Sequence, residues 1–485
     1  MLIELAEYIA EPITTLFNLS LRHGSVPEDW KTAIISPIYK KGSRHIAENY
    51  RPVSLTSILC KMMEKFLRDK IMTHLQKENV LSNKQYGFIS GRSTTTQLLH
   101  YLDYCTEVLA NKGVIDVIYL DFSKAFDTVP HQRLLKKLED YGIIGKIHKW
   151  IKAFLNDRTQ QVVVNGSFSS PAKVLSGIPQ GTVLGPISFI IYINDLLNNT
   201  SSKGLKSADD TKIFHHITSR QDSTLLQSDI NLLEEWAKNW KLKFNHEKCH
   251  VLTIGKMENI QHTHRYIIND NEIEHVFEEK DLGITIDFEL KFEQHISKIV
   301  NTANAIVGQI RRSFSYLDCD TFKRIYTAFV RPHLEYGQAV WSPHLKRHID
   351  KIENVQIRAT KLVDGLSNLT YADRLRKLDL PTLAFRRKRI DLIDLYKHFH
   401  LYDKLTLPAS FKQNLRPSRK HNFQMSIPPE RDGIYGPQTT FFIQRTARIW
   451  NNLPSTVVDA KNATIFKSLL DKLWINDPSK FDHKV

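Results

Sequence analysis

The run VIDVIYLDF, residues 114–122, constrains this chain more than any other. It is continuous, β-branched and aromatic, the pattern of a strand buried on both faces of a sheet. It ends in Asp121, between Leu120 and Phe122. A carboxylate there must reach an edge, a partner or a cation, because burying it alone costs too much.

A second acidic feature supplies a candidate neighbour. Ser207-Ala208-Asp209-Asp210 stands just before TKIFHHI, residues 211–217, which reads as another strand. Adjacent acids at a tight turn project towards a neighbouring strand. If that strand carries Asp121, three carboxylates converge. Such a cluster repels itself without metal, and two Mg²⁺ ions roughly 3.5–4 Å apart suit it, with Mn²⁺ as a substitute. In-line phosphoryl transfer needs mainly such positioning and charge neutralisation. A lone Asp-Asp turn is more often a solvated turn, since Asp favours turns anyway. A strand-end acid and an ordered set of motifs in the same chain shift the balance towards a site.

Helical patterns cover 1–22, 54–79, 94–109, 131–138, 147–155 and 222–241, with a buried apolar helix over 186–197. Strands are expected at 32–40, 160–166, 248–255 and 281–287. From about residue 290 the pattern turns helical, at 291–314, 319–330 and 348–362. Beyond 405 it loses its period until a last helix near 464–474. A chain of 485 residues exceeds one ordinary core, so roughly two to four packed subdomains are expected. The formal charge of +15 favours a polyanionic partner, nucleic acid first. Cys60, Cys105, Cys249 and Cys319 are scattered without a C-x2-C pair, which points to reduced thiols. The N-terminal helix carries Glu4, Glu7 and Glu11 and no basic flank, so it reads as a packed amphipathic helix and not a signal peptide. No run is long and apolar enough to span a membrane.

Several segments, in order, resemble the LINE-type (non-LTR) retrotransposon reverse transcriptases, especially the jockey-like group. LDFSKAFDTVPH (120–131) resembles the family's first catalytic motif. SGIPQGTVLGPISFIIYINDL (176–196) resembles its Pro-Gln-Gly loop and following helix, and ADDTKIF (208–214) its second catalytic motif. WKTAIISPIYKKG, NYRPVSLTSILCKMMEK and NKQYGFISGRST resemble its fingers and the approach to the palm. Later matches are WAKNWKLKFNHEKCHVLTIG and RIYTAFVRPHLEYGQAVW, so the resemblance covers about residues 15–400.

The resemblance implies an α+β right-hand polymerase with an antiparallel palm sheet. Fingers would take 1–113, palm 114–290, a helical thumb 291–365, and a helical or loop-like region 366–485. It implies an RNA-directed DNA polymerase that takes an RNA template, a DNA primer and dNTPs. Asp121 and Asp209 would be metal ligands, with the Phe122 carbonyl as a further one and Asp210 in support. Phe126 would be the steric gate against a ribonucleotide's 2′-hydroxyl, although its residue type alone reads as a packed core aromatic. Gln180 would contact the incoming nucleotide, with Gly181 and Gly185 allowing close approach. Lys40 and Arg51 would hold the triphosphate, or be ordinary surface residues. Lys248 would protonate pyrophosphate, and Asn245 is a candidate for orienting backbone. Arg311, Arg312, Arg331, Arg358 and Lys361 would grip the template–primer backbone. Action in the nucleus and cytoplasm follows from the family's life cycle.

Three departures qualify this. The family's aromatic before Ala-Asp-Asp is Ser207, and the apolar residue before that is Lys206. No endonuclease-like segment precedes the fingers within this sequence. No Cys-Cys-His-Cys knuckle or RNase H-like acid set follows. An alternative is therefore a catalytically inactive RNA-binding remnant, and a third reading is a maturase-like RNA-folding partner. His215-His216 would face opposite ways as consecutive strand residues, against a metal role. Arg386-Arg387-Lys388-Arg389 reads as a basic helix face before a nuclear-import or RNA-contact patch.

Overall fold

A computed structural model describes residues 4–256, 264–401, 421–426 and 441–484. Helix α1 (Ala6–His23) ends at Gly24, whose left-handed φ of 64° caps it. It buries only Phe17 and Ser20. The helix expected to be packed lies largely on the surface.

Strands β1 (Thr32–Tyr39) and β2 (Tyr50–Leu55) form an antiparallel hairpin. Helices α2 (Ile58–Lys77) and α3 (Thr94–Ala110) follow, then β3 (Val114–Leu120). Helix α3 starts on a capping box in which Ser93 accepts from the Thr96 amide. Helices α4 (His131–Asp140) and α5 (Gly145–Leu155) lead to β4 (Thr159–Val164), which returns to pair parallel with β1. Helix α6 (Leu184–Tyr192) precedes β5 (Lys203–Ser207) and β6 (Asp210–Ile217), and α7 (Arg220–Asn239) precedes β7 (His250–Ile254). Strand β8 (Glu274–Val276) and the hairpin of β9 (Glu278–Asp281) and β10 (Ile284–Asp287) close the strand-rich part. Then come α8 (Glu293–Ser313), α9 (Lys346–Ala359), α10 (Leu383–His400), α11 (Phe442–Asn451) and α12 (Ala463–Leu473), with shorter helices between.

The central sheet runs β8-β7-β3-β6-β5. It is antiparallel except at the β8–β7 edge. Strand β3 sits in its middle and is buried on both faces, as its apolar run requires. Ile115 and Val117 join a core shared with the helices after residue 293. Ile118 and Leu120 join a second core with α2, α4, α5, α6 and α7. A second sheet, of β2, β1, β4 and two two-residue strands that pair with β4, stands beside this second core and carries the Lys40 and Arg51 region.

Three expectations need correction. The helix expected from 54 begins at Ile58, and residues 50–55 are strand β2. The strand expected at 281–287 is a hairpin, because Leu282 and Gly283 turn the chain with φ of 47° and 89°. The helix expected over 186–197 stops at Tyr192. Beyond it the Asn194 side chain ties the chain to Ser82 and Val80. Much of the aperiodic tail, residues 402–420 and 427–440, lies outside the described residues, but helix α11 was not anticipated. No helix among the described residues is long and apolar enough to cross a membrane.

Candidate active site

Register brings the acids together. Leu120 pairs with Thr211 and Ser207 with Asp210, which leaves Ala208 and Asp209 as a two-residue turn. Asp121, one residue past β3, and the Asp209-Asp210 pair therefore stand at the same end of adjacent strands. Burial pushes the Asp209 carboxyl up, and Asp121 adds to this, while Arg51 and Lys40 pull it down. Asp210 is pushed up to about 6, first by burial and then by Asp209, Asp281 and Asp121. Asp121 thus acts on both members of the Asp209-Asp210 pair, which marks one shared field. Arg51 and Lys40 sense the same field from β2 and the end of β1.

The neighbours fix Asp121. Lys248 Nζ lies 3.4 Å from its Oδ1. The Asn245 backbone N–H donates to the Asp121 carbonyl at 2.9 Å, so Asn245 orients backbone through its own main chain. Phe122 is buried and stacks on Phe244 at 4.4 Å. Phe126 is half-buried and stacks on Phe189, also at 4.4 Å. That contact fixes the ring plane whatever else Phe126 does.

Gln180 is held from three directions. Arg51 Nε donates to its Oε1 at 3.1 Å, its Nε2 donates to Asp127 Oδ1 at 3.1 Å, and its carbonyl accepts from the Ser54 amide at 2.7 Å. The next residue, Gly181, has φ of 104°, and a Cβ there would sit 2.7 Å from the Ser54 carbonyl. A Cβ on Gly185 would meet the Pro179 carbonyl at 2.8 Å. Both glycines were expected to make room for a nucleotide. In the structure they make room for the protein's own backbone. Below this loop, Glu64 is fully buried and accepts from the amides of Val183 and Leu184 at 2.8 and 2.9 Å. It caps the first turn of α6 from another element. Sequence reasoning missed both Asp127 and Glu64. Asp127 was visible only as the acid after Phe126, and Glu64 only as an acid at a helical position that ought to be apolar.

Lys206 has an unexpected place. It is fully buried, and its Nζ donates to the carbonyls of Ile193 and Asn194 at 2.7 and 2.8 Å. Those carbonyls lie just past the C-terminus of α6, where a lysine is favoured. Burial lowers its pKa to about 7. The lysine thus points away from the three acids. His215 approaches Asp222 at 3.8 Å, while His216 lies beside Gly113. The arginine run is largely consumed in packing. Arg386 pairs with Glu335, Arg387 is buried, and Arg389 pairs with Asp471. Arg331 also pairs with Glu335, at 3.7 Å, which withdraws it from the expected set of free thumb cations.

Among the described residues no three His, Cys, Asp or Glu side chains form a ready-made metal cage. The donor set still fits Mg²⁺. That ion takes one or two carboxylates and completes its shell with water and substrate phosphates, so an open pair of acids is what it needs.

A five-stranded sheet carrying an acid at the end of its central strand and two more on the adjoining turn, flanked by a basic hairpin and a helical half, is a right-hand polymerase fold. The family model described as reverse transcriptase (RNA-dependent DNA polymerase) matches residues 38–296, more than half of the 485. The chain belongs to the reverse transcriptase family. It is 29% identical over 398 residues to the RNA-directed DNA polymerase from mobile element jockey of Drosophila melanogaster, covering 78% of this chain and 42% of that one. The probable RNA-directed DNA polymerase from transposon X-element of the same fly is 26% identical, over 73% and 40% of the two chains. The chain spans less than half the length of these relatives. Among solved structures, the telomerase of Candida albicans overlaps 75% of this chain and 68% of its own at 10% identity, with a TM-score of 0.41.

Proposed function

We propose that this chain is the polymerase part of a non-LTR retrotransposon protein, an RNA-directed DNA polymerase that extends a DNA primer on an RNA template with dNTPs. The observation that carries this reading is the meeting of Asp121 with Asp209 and Asp210 at one end of β3 and β6, faced by Lys40, Arg51 and Gln180. Asp121 and Asp209, with the Phe122 carbonyl, would hold Mg²⁺ or Mn²⁺, and Asp210 supports them. When bound, the two ions activate the primer 3′-hydroxyl and neutralise the departing pyrophosphate.

The chain's own residues do the rest. Lys40 and Arg51 bind triphosphate oxygens. Arg51 also fixes the Gln180 amide, which lines up the incoming nucleotide. Phe126, its plane set by Phe189, stands against the sugar and rejects a 2′-hydroxyl. Lys248 is close enough to the acids to deliver a proton to pyrophosphate. Fingers take 1–113, palm 114–290, thumb 291–365 and a C-terminal region 366–485. The exposed Arg311, Arg312, Arg358 and Lys361 suit a sequence-independent grip on the duplex backbone. The site of action is the nucleus and cytoplasm.

The reading of an inactive remnant rested on Lys206 and Ser207. Lys206 is accommodated as a helix cap outside the cleft, which favours the active enzyme. The test is primer extension on poly(rA)/oligo(dT) with Mg²⁺, wild type against Asp209→Ala. Extension by the wild type, reduced in the variant by on the order of 10³ or more, supports the assignment. A folded wild type that binds template–primer and extends nothing returns it to the inactive remnant.

A further inference from the structure

The turn that presents Asp209 is held in an unfavourable shape. Ala208 has φ of 58°, in the left-handed region that a residue with a Cβ avoids. Nothing within the turn offsets this, since Ala208 has no side chain to bond its own backbone. Its amide is buried, with the residue only 6% exposed.

The restraint comes from a distant segment. Gln85 is fully buried, and its Oε1 accepts from the Ala208 amide at 3.0 Å and from the Gly87 amide at 2.8 Å. Its backbone neighbours clamp the strand leading into the turn. The Lys206 amide donates to the Lys84 carbonyl at 2.7 Å, and the Tyr86 amide donates to the Lys206 carbonyl at 2.8 Å. The segment thereby covers the open edge of β5, the last strand of the central sheet. Gly87 lets it come close: a Cβ there would stand 2.6 Å from the Ala208 nitrogen. The Gln85 Nε2, by contrast, is buried without an acceptor. The side chain therefore contributes through its oxygen, and that oxygen is spent on the turn.

We propose that Gln85 is a positioning residue for Asp209: its side-chain oxygen holds the Ala208–Asp209 turn in the left-handed geometry that aims the carboxylate at the metal. This rests on the polymerase reading and deepens it. Gln85 touches neither substrate nor metal. It fixes the backbone from which a metal-binding carboxylate projects, and an error of an ångström at such a carboxylate weakens metal and rate together.

The test measures Mn²⁺ affinity by electron paramagnetic resonance on the protein bound to poly(rA)/oligo(dT), alongside kcat for extension. Gln85→Met removes the oxygen and keeps the volume. It should weaken Mn²⁺ binding about fivefold to tenfold and lower kcat by about tenfold or more, with template–primer affinity unchanged. Adding Ala208→Gly, which accepts φ of 58° without a Cβ penalty, should restore both to within about threefold. A merely structural defect in the core would gain nothing from glycine at 208. Amide exchange in the wild type needs no variant: the Ala208 N–H should be as protected as those of the β5–β6 ladder. A fast-exchanging Ala208 amide, or a Gln85→Met protein with wild-type Mn²⁺ affinity and kcat, overturns the proposal. Asp209→Ala separates it from the polymerase reading. Unchanged Mn²⁺ affinity in Asp209→Ala sinks the metal site itself. Affinity lost there but kept in Gln85→Met sinks only the role of Gln85.

Discussion

Lys206 and Ile193 are joined by a buried hydrogen bond of 2.7 Å, from the strand before the acidic turn to the end of helix α6. The burial of this lysine makes folding stability depend on pH. Burial lowers the lysine pKa from 10.5 to about 7. Between those values the unfolded chain binds the proton more tightly than the folded one, so stability rises with pH across that window. The upper limit of the slope is about 1.4 kcal/mol per pH unit. Urea unfolding of wild type and Lys206→Met at pH 7 and pH 9 reads it directly. The wild type should gain on the variant as pH rises, and parallel behaviour would mean that the lysine is not buried as described.

Asp127 and Gln180 give a second expectation. Asp127→Ala releases the Gln180 amide, leaving it tied only through Arg51. The KM for dNTP should rise about threefold to tenfold, the worth of one hydrogen bond at roughly 0.5–1.5 kcal/mol, with kcat little changed. Steady-state extension at varied dNTP checks this. A drop in kcat alone would mean that Asp127 does something other than orient Gln180.

Gly181→Ala places a Cβ against the Ser54 carbonyl at a φ of 104°. Strain of that kind costs about 1–3 kcal/mol. The loop should shift to relieve it, so kcat/KM for dNTP should fall by about tenfold while the melting temperature drops by a few degrees. A neutral variant would mean that the β2–loop contact is looser than it stands here.

Glu64→Ala leaves the amides of Val183 and Leu184 without their acceptor in the core. The expected loss is about 2–3 kcal/mol of stability, read by chemical denaturation. Glu64→Gln keeps an oxygen in place and should retain most of it. Equal losses in the two variants would argue that charge, not the acceptor, is what α6 needs.

Some of this was legible in the sequence for simple reasons. The strand at 114–120 and its terminal acid were readable because burial on both faces leaves a continuous apolar run. The acidic turn was readable because two strands pinned it. Strand β2 was not, because Pro52 speaks against a strand. In the structure Pro52 pairs with Pro37. Strand β2 is an edge, and Pro37 lies past the stretch of β1 that pairs with β4, which ends at Ile35, so neither ring removes a ladder bond that the sheet needs. Lys206 looked like a defect because one-dimensional pattern assigns a buried strand position to apolar residues. Only the fold reveals a helix end within reach of its ammonium. The arginine run at 386–389 failed in the opposite way. Charge runs usually face solvent, but Glu335 and Asp471 arrive from distant elements. Gln85 was unreadable in the same sense, since its partner lies in the turn at Ala208.

The two cores divide the two faces of β3 between them. Ile115, Val117, Leu252 and Ile254 share theirs with Tyr326, Trp341, Leu392 and Trp450, all of which lie beyond the segment that matches the family model. A chain trimmed to residues 38–296 would therefore keep every acid of the site and lose the helices that pack on α3 and on the β9–β10 hairpin. The outer sides of that helix and hairpin would lie open to water, an apolar surface that seeks other copies of itself. For anyone expressing this chain in pieces, the helical half is a built-in cover, and cutting it away trades a folded surface for a sticky one.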